Sequence, residues 1–153
     1  MIESFQRSFT ARIAGCSNLS YWDRLKRLKL YSLQRRRERY MVILVWKIFH
    51  GAIPNSVNLL FKHSERRGVT CVRPLGSSKY SSINTMIFHS FSSTASALYN
   101  AVPKNVKSIP TLIQFKAELD RFLQTIPDTP PTPGYTGANS NSLVEWASSK
   151  SQL

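Results

Sequence analysis

Residues 32–51, SLQRRRERYMVILVWKIFHG, place four arginines (Arg35, Arg36, Arg37 and Arg39) within five positions and follow them at once with an apolar run. Ser32 is a residue type that caps helix starts, Gly51 one that ends them, and Pro54 just beyond bars continuation. The stretch is therefore predicted as one helix. Leu33, Tyr40, Leu44 and Ile48 form an apolar stripe at helical spacing, and the bulk of residues 41–45 should bury the second half on several sides. The front half is cationic: Arg35 and Arg39 share a face and Arg36 and Arg37 flank it. Like charges at that spacing repel, and cations near a helix N-terminus oppose the macrodipole. A bound anion would reverse the cost, because phosphate oxygens would meet guanidinium forks and free backbone amides together.

Two further helices are expected upstream. Ile2, Phe5, Phe9 and Ile13 recur at helical spacing with polar residues between them, and Gly15 stands close enough to stop the run. Ser20 and Asp23 read as a capping box ahead of Leu25 and Leu28, with hydroxyl and carboxylate each accepting a backbone donor, and this short helix should end near Lys29. Three helices with short connections suggest a small antiparallel bundle over residues 1–51. Arg24, Lys26, Arg27 and Lys29 would extend the cationic end, given a tight turn from Lys29 to Tyr31. Tyr21, Trp22 and Tyr31 lie among them and could stack on bases, but their place on the apolar stripe favours the core.

Proline, glycine and serine interrupt every period across residues 52–108. There the pattern allows a helical turn at residues 58–63, short strands at 69–72 and 83–88, and a helix at 94–100. Thr111 and Gln114 repeat the capping-box spacing, and Leu112, Phe115, Leu119 and Phe122 then mark a helix that Ile126-Pro127 stops. Pro127 to Ser142, PDTPPTPGYTGANSNS, cannot build a core and is expected to be a disordered linker. Leu143 and Trp146 beyond it suit either one docked helical turn or a loose end. The fold class is thus mainly α: a small helical bundle, an irregular middle with room for short strands, and a disordered tail. The segments are 1–51, 52–126 and 127–153.

Charge sets the class of partner. Lysine and arginine number 21 against 8 acidic residues, a net +13. Residues 1–50 carry +8, residues 51–117 carry +7 and residues 118–153 carry −2. So strong and local a surplus points to a polyanion, with RNA or DNA backbone ahead of a membrane surface. The longest apolar run, residues 41–46, is far short of the roughly 18 residues a membrane span needs. The N-terminus lacks signal-peptide order, and Cys16 and Cys71 stand apart with no CxxC, so an intracellular protein of nucleus or cytoplasm is expected.

Catalytic patterns are weak. A polymerase needs clustered carboxylates to hold two metal ions, and the aspartates are Asp23, Asp120 and Asp128 alone. Glu118 and Asp120 are two apart on a helix and should point apart. His63, Cys71 and His89 match no standard zinc spacing, and there is no GxGxxG or Walker pattern. No enzyme activity, metal or cofactor is expected.

Four blocks nevertheless occur in a familiar order: IESFQRSFTARIAG, LSYWDRLKRLKLYSLQRRRERYMVILVWKIFHG, LYNAVPKNV and FKAELDRFL. Together they resemble the C-terminal region of reverse transcriptases from non-LTR (LINE-type), jockey-like retrotransposons. The corresponding family patterns are QRRFTKRI, LSYxERLxxLxLxSLxxRRxRxD leading to xYKIxxG, WNxLP and FKxxLDxxL. Gln6 and Arg7 answer the first, Tyr21, Arg24, Leu25, Arg36, Arg37, Lys47 and Gly51 the second, and Tyr99, Asn100 and Pro103 the third, with tyrosine for tryptophan. Phe115, Lys116, Leu119 and Asp120 answer the last. Tyr40 and Met41 stand where the family often has an acidic residue.

The resemblance implies a helical segment downstream of the polymerase palm that helps hold template RNA or target DNA, with the catalytic aspartates upstream of it. Met1 would then be an internal position of a longer reading frame. A non-catalytic fragment that grips nucleic-acid backbone through Arg24, Lys26, Arg27, Arg35, Arg36, Arg37 and Arg39 is the expectation. The alternative is a protein-interaction module that packs on a polymerase domain.

Overall fold

A computed structural model describes residues 2–54, 62–63, 71–72, 81–88, 90–128 and 142–150. Among them the chain is mainly α-helical. The helices are α1 (Ile2–Ala11), α2 (Tyr21–Arg27), α3 (Leu33–Phe49), α4 (Ser81–Phe88), α5 (Phe91–Ala101), α6 (Lys104–Lys107), α7 (Leu112–Gln124) and α8 (Leu143–Lys150). One antiparallel pair joins β1 (Lys62–His63) to β2 (Cys71–Val72), with His63 opposite Cys71. The chain divides into two compact units, one of Met1–Arg37 with Ile126–Leu153, the other Glu38–Thr125. The division runs inside α3, so the opening stretch supplies Arg35, Arg36 and Arg37 to one unit and Arg39 with its apolar end to the other.

The helix ends follow local chemistry. Ser20 Oγ accepts the Asp23 amide at 3.2 Å, but the Asp23 carboxylate takes the Ser20 hydroxyl at 2.5 Å instead of a backbone donor. Thr111, by contrast, caps no backbone amide, and its hydroxyl donates to Gln114 Oε1 at 2.9 Å. α2 stops in a Schellman turn, with the Lys29 amide on the Lys26 carbonyl and the Leu30 amide on the Leu25 carbonyl. Lys29 holds the left-handed position at φ 53°, where glycine is usual. α3 ends in the same motif with Gly51 at φ 68°, as its sequence suggested.

Three readings of helix faces and types are corrected. Residues 83–88 lie in α4, not in a strand. Ile83 and Met86 also fit a helical step, and a six-residue segment with four apolar residues does not separate the two periods, so packing of α4 on α5 decides. On α3 the inward face is Arg35, Glu38, Val42 and Val45, each 2% exposed or less, whereas Tyr40 of the predicted stripe is 61% exposed. On α1 the inward side chains are polar: Thr10 is buried and Glu3 and Gln6 are half-buried, while Phe5 and Phe9 are each 70% exposed. The predicted turn at residues 58–63 overlaps the described chain only at β1, the strand at 69–72 only at β2, and the linker mostly lies outside the described residues. α8 extends well past one turn and buries Leu143 completely.

In the unit Glu38–Thr125 the core is apolar. Val42, Val45 and Trp46 of α3, Leu98 and Tyr99 of α5, and Phe115, Leu119 and Leu123 of α7 are all buried. The Trp46 ring stacks on Phe115 at 5.0 Å between centroids, and its Nε1–H donates to the Ile109 carbonyl at 3.3 Å. Phe49 meets Tyr99 at 5.4 Å. This packing anchors the apolar half of α3, as its sequence demanded.

The unit Met1–Arg37 with Ile126–Leu153 has a different interior. Cys16, Tyr21, Leu25, Ile126 and Leu143 are buried beside Thr10, Arg24, Ser32 and Arg35. Tyr21 donates its hydroxyl to Glu3 Oε1, and Gln6 Nε2 donates to the Tyr31 carbonyl at 3.1 Å. Buried polar groups must find partners to avoid a desolvation penalty, so this unit rests on a hydrogen-bond network as much as on apolar area.

Candidate nucleic-acid interface

The seven cations predicted to meet phosphate separate into two sets. Arg24 is buried. Its Nε donates to Thr10 Oγ1 at 3.3 Å, Nη1 to the Leu19 carbonyl at 2.7 Å and Nη2 to the Arg7 carbonyl at 3.3 Å. A guanidinium with donors in a fixed plane is suited to tying several groups together, and here two backbone carbonyls and the Thr10 hydroxyl fix α2 against α1. It is not placed to contact a ligand.

Arg35 is fully buried, with Nη2 donating to the Pro127 carbonyl at 3.2 Å and Nε 3.8 Å from Asp128 Oδ1. Arg39 forks onto Asp120, Nε to Oδ1 at 2.5 Å and Nη2 to Oδ2 at 2.8 Å, the two-point geometry that makes arginine–carboxylate pairs strong. Both arginines leave the predicted interface, for one reason: carboxylates from the last third of the chain reach them first. Asp120 thereby points to Arg39 while Glu118 pairs with Arg121, so the two acids face apart as their spacing implied.

The anion sought at the start of α3 is also internal. Asp128 accepts the Ser32 amide and the Ser32 hydroxyl, each at 2.7 Å, and Glu3 Oε2 accepts the Leu33 amide at 3.1 Å. Ser32 Oγ in turn accepts the Arg35 amide at 3.0 Å, the predicted cap. Two carboxylates thus supply the negative charge that three consecutive arginines near a helix N-terminus require. The first amides of α3 are therefore closed to phosphate.

The remaining four cations stay available. Lys26, Arg27 and Arg37 are exposed and Arg36 is half-buried, and none of them forms an ion pair among the described residues. Lys26 and Arg27 occupy the last turn of α2, where cations complement the helix dipole, and Arg27 lies beside Gly15. Lys29, two residues on, is exposed as well, held outward by the Schellman turn. Tyr21 belongs to the core, its ring 4.8 Å from that of Trp22 and under the Arg7 guanidinium at 4.8 Å, while Trp22 and Tyr31 are half-buried. Burial first, and then the Glu3 carboxylate that accepts its hydrogen bond, push the Tyr21 phenol well above its ordinary pKa.

No known protein family, curated protein or solved structure matches this chain. Among the described residues no group of three potential ligands could hold a metal ion, and no helix is long and apolar enough to cross a membrane.

Proposed function

We propose that this chain binds the phosphate backbone of RNA or DNA, without catalysis of its own, as part of a C-terminal region of a non-LTR reverse transcriptase. One observation carries the reading: in a chain of net charge +13, the fold pairs or buries Arg24, Arg35 and Arg39 but leaves Lys26, Arg27, Arg36 and Arg37 without carboxylates among the described residues. Unpaired surface cations gain from phosphate by releasing condensed counterions. The interface is thus narrower than the arginine cluster, and its contacts carry no base information. The four-block resemblance supports the parent family, with RNA and DNA equally suited to a backbone contact.

The test is fluorescence anisotropy with a labelled oligonucleotide over a salt series, comparing wild type with Lys26→Gln/Arg27→Gln/Arg36→Gln/Arg37→Gln. Each phosphate that the variant no longer neutralises should flatten the log–log salt dependence by about 0.7–0.9. Removing all four cations should therefore flatten it by about 3, with helical circular dichroism unchanged. Wild-type binding that ignores salt, or a variant that binds like wild type, overturns the reading. The second reading, a module that packs on a polymerase domain, draws on Met86 and Ile113, exposed by 73% and 83%. Apolar docking of that kind should barely respond to salt.

A further inference from the structure

α1 is built inside out, and its outer edge has the chemistry of a base-stacking surface. Its single acid, Glu3, is turned inward and occupied by the Tyr21 hydroxyl and the Leu33 amide. Thr10 is buried with its hydroxyl donating to the Gln6 carbonyl at 2.9 Å and accepting from Arg24. Phe5 and Phe9, each 70% exposed, point outward together with Ser4, Arg7 and Ser8, and Arg12 is exposed in the turn just past the helix end. The Arg12 amide bonds the Phe9 carbonyl at 3.1 Å, which fixes the turn that follows α1 and keeps the Arg12 backbone close to that of Phe9. An amphipathic helix ordinarily buries its aromatics, so polar burial with aromatic display requires a compensating partner.

We infer that Phe5 and Phe9, with Arg12, form a stacking platform for single-stranded nucleic acid; this rests on the backbone-binding reading above and specifies the strand it takes. Charge favours a polyanion over an apolar protein groove, because the outward edge offers rings and a guanidinium and its carboxylate is spent inside. Spacing favours single strands. Four residues of helix separate the rings by about 6 Å along the axis. Paired bases are stacked about 3.4 Å apart and show no free faces, so duplex cannot engage both rings. An extended strand with unstacked bases can, and base–aromatic stacking needs no particular base. The outward phenylalanines would then select strand type, while the lysines and arginines supply the salt-dependent grip.

The experiment measures anisotropy of three labelled probes of roughly 15 nucleotides: oligo(dT), an abasic strand of the same length, and a duplex. Phe5→Ala/Phe9→Ala should weaken oligo(dT) binding about tenfold or more, since each stacked base contributes a several-fold factor. Its abasic and duplex affinities should match wild type. Phe5→Tyr/Phe9→Tyr should restore oligo(dT) binding and Phe5→Leu/Phe9→Leu should not. Unchanged oligo(dT) affinity in the alanine variant overturns the platform while leaving the phosphate reading intact. Full affinity in the leucine variant, or equal loss on all three probes, also overturns it, by assigning the rings a plain apolar role. A shift of the alanine variant to a smaller species in gel filtration would assign the face to a second copy of the chain and likewise overturns it. Wild type that binds none of the probes refutes both proposals together.

Discussion

Replacing Arg35 by glutamine should unfold this protein more easily without weakening the proposed phosphate contact, the reverse of what its place in a basic cluster suggests. The side chain is fully buried and donates 3.2 Å to the Pro127 carbonyl, with Nε 3.8 Å from Asp128. A hydrogen bond from a charged donor contributes about 1.5–3 kcal/mol. Breaking a buried charge pair costs about 3–5 kcal/mol. Asp128 is 21% exposed and keeps both Ser32 bonds, so solvent screens part of its loss and the lower end, about 3 kcal/mol, applies. With a urea slope of about 2 kcal/mol per molar, the midpoint should fall by roughly 1.5 M. Arg37→Gln, at an exposed position, should stay within about 0.5 kcal/mol of wild type. Urea titrations followed by circular dichroism measure both. If Arg35→Gln unfolded with wild type yet lost as much oligonucleotide affinity as Arg37→Gln, the internal role of Arg35 would be refuted.

Other parts of the fold give equally direct expectations. Lys29→Gly should stabilise the protein by about 0.5–1 kcal/mol, because a left-handed residue with a side chain carries strain that exceeds the extra backbone entropy of glycine; a lower urea midpoint would contradict the Schellman geometry. The Tyr21 phenol keeps its proton in the folded chain beyond the ordinary value of 10.0. Its stabilising contribution is therefore complete below about pH 10 and is lost as pH rises further, when the unfolded phenol ionises first. The urea midpoint of wild type should drop between pH 9 and 11 more steeply than that of Tyr21→Phe, and parallel curves would deny the effect. Arg39→Lys should cost about 1 kcal/mol, since an ammonium replaces a two-point fork by a single contact. Asp120→Asn should make that lysine substitution nearly neutral in a double-mutant cycle, and fully additive losses would mean that the fork does not form.

Local rules carried much of the architecture. Ser32, Gly51, Ser20 and the run from Leu112 define helix boundaries through interactions that span a few residues, so α2, α3 and α7 were legible one segment at a time. The candidate interface was legible only in part. Its cationic surplus is a property of composition, whereas its membership depends on which arginine meets a carboxylate. Asp128 reaches Ser32 across 96 residues and Asp120 reaches Arg39 across 81. Periodicity holds no information about such distant partners.

From its residues alone, the chain is determined to be helical, basic and apolar along the second half of its third helix, because hydrogen bonding within a helix and the sign of a side chain need no distant partner. Only the tertiary structure decided which faces turn inward. It buried Arg24, Arg35, Glu38 and Thr10 and left Phe5, Phe9 and Tyr40 outside. The physical reason is that a helix stripe records what a side chain prefers in water, while burial goes to groups whose partners can be satisfied. Here Arg24 meets the Arg7 and Leu19 carbonyls and Thr10 the Gln6 carbonyl, while Asp128, 96 residues away, takes the Ser32 amide and hydroxyl and lies 3.8 Å from Arg35.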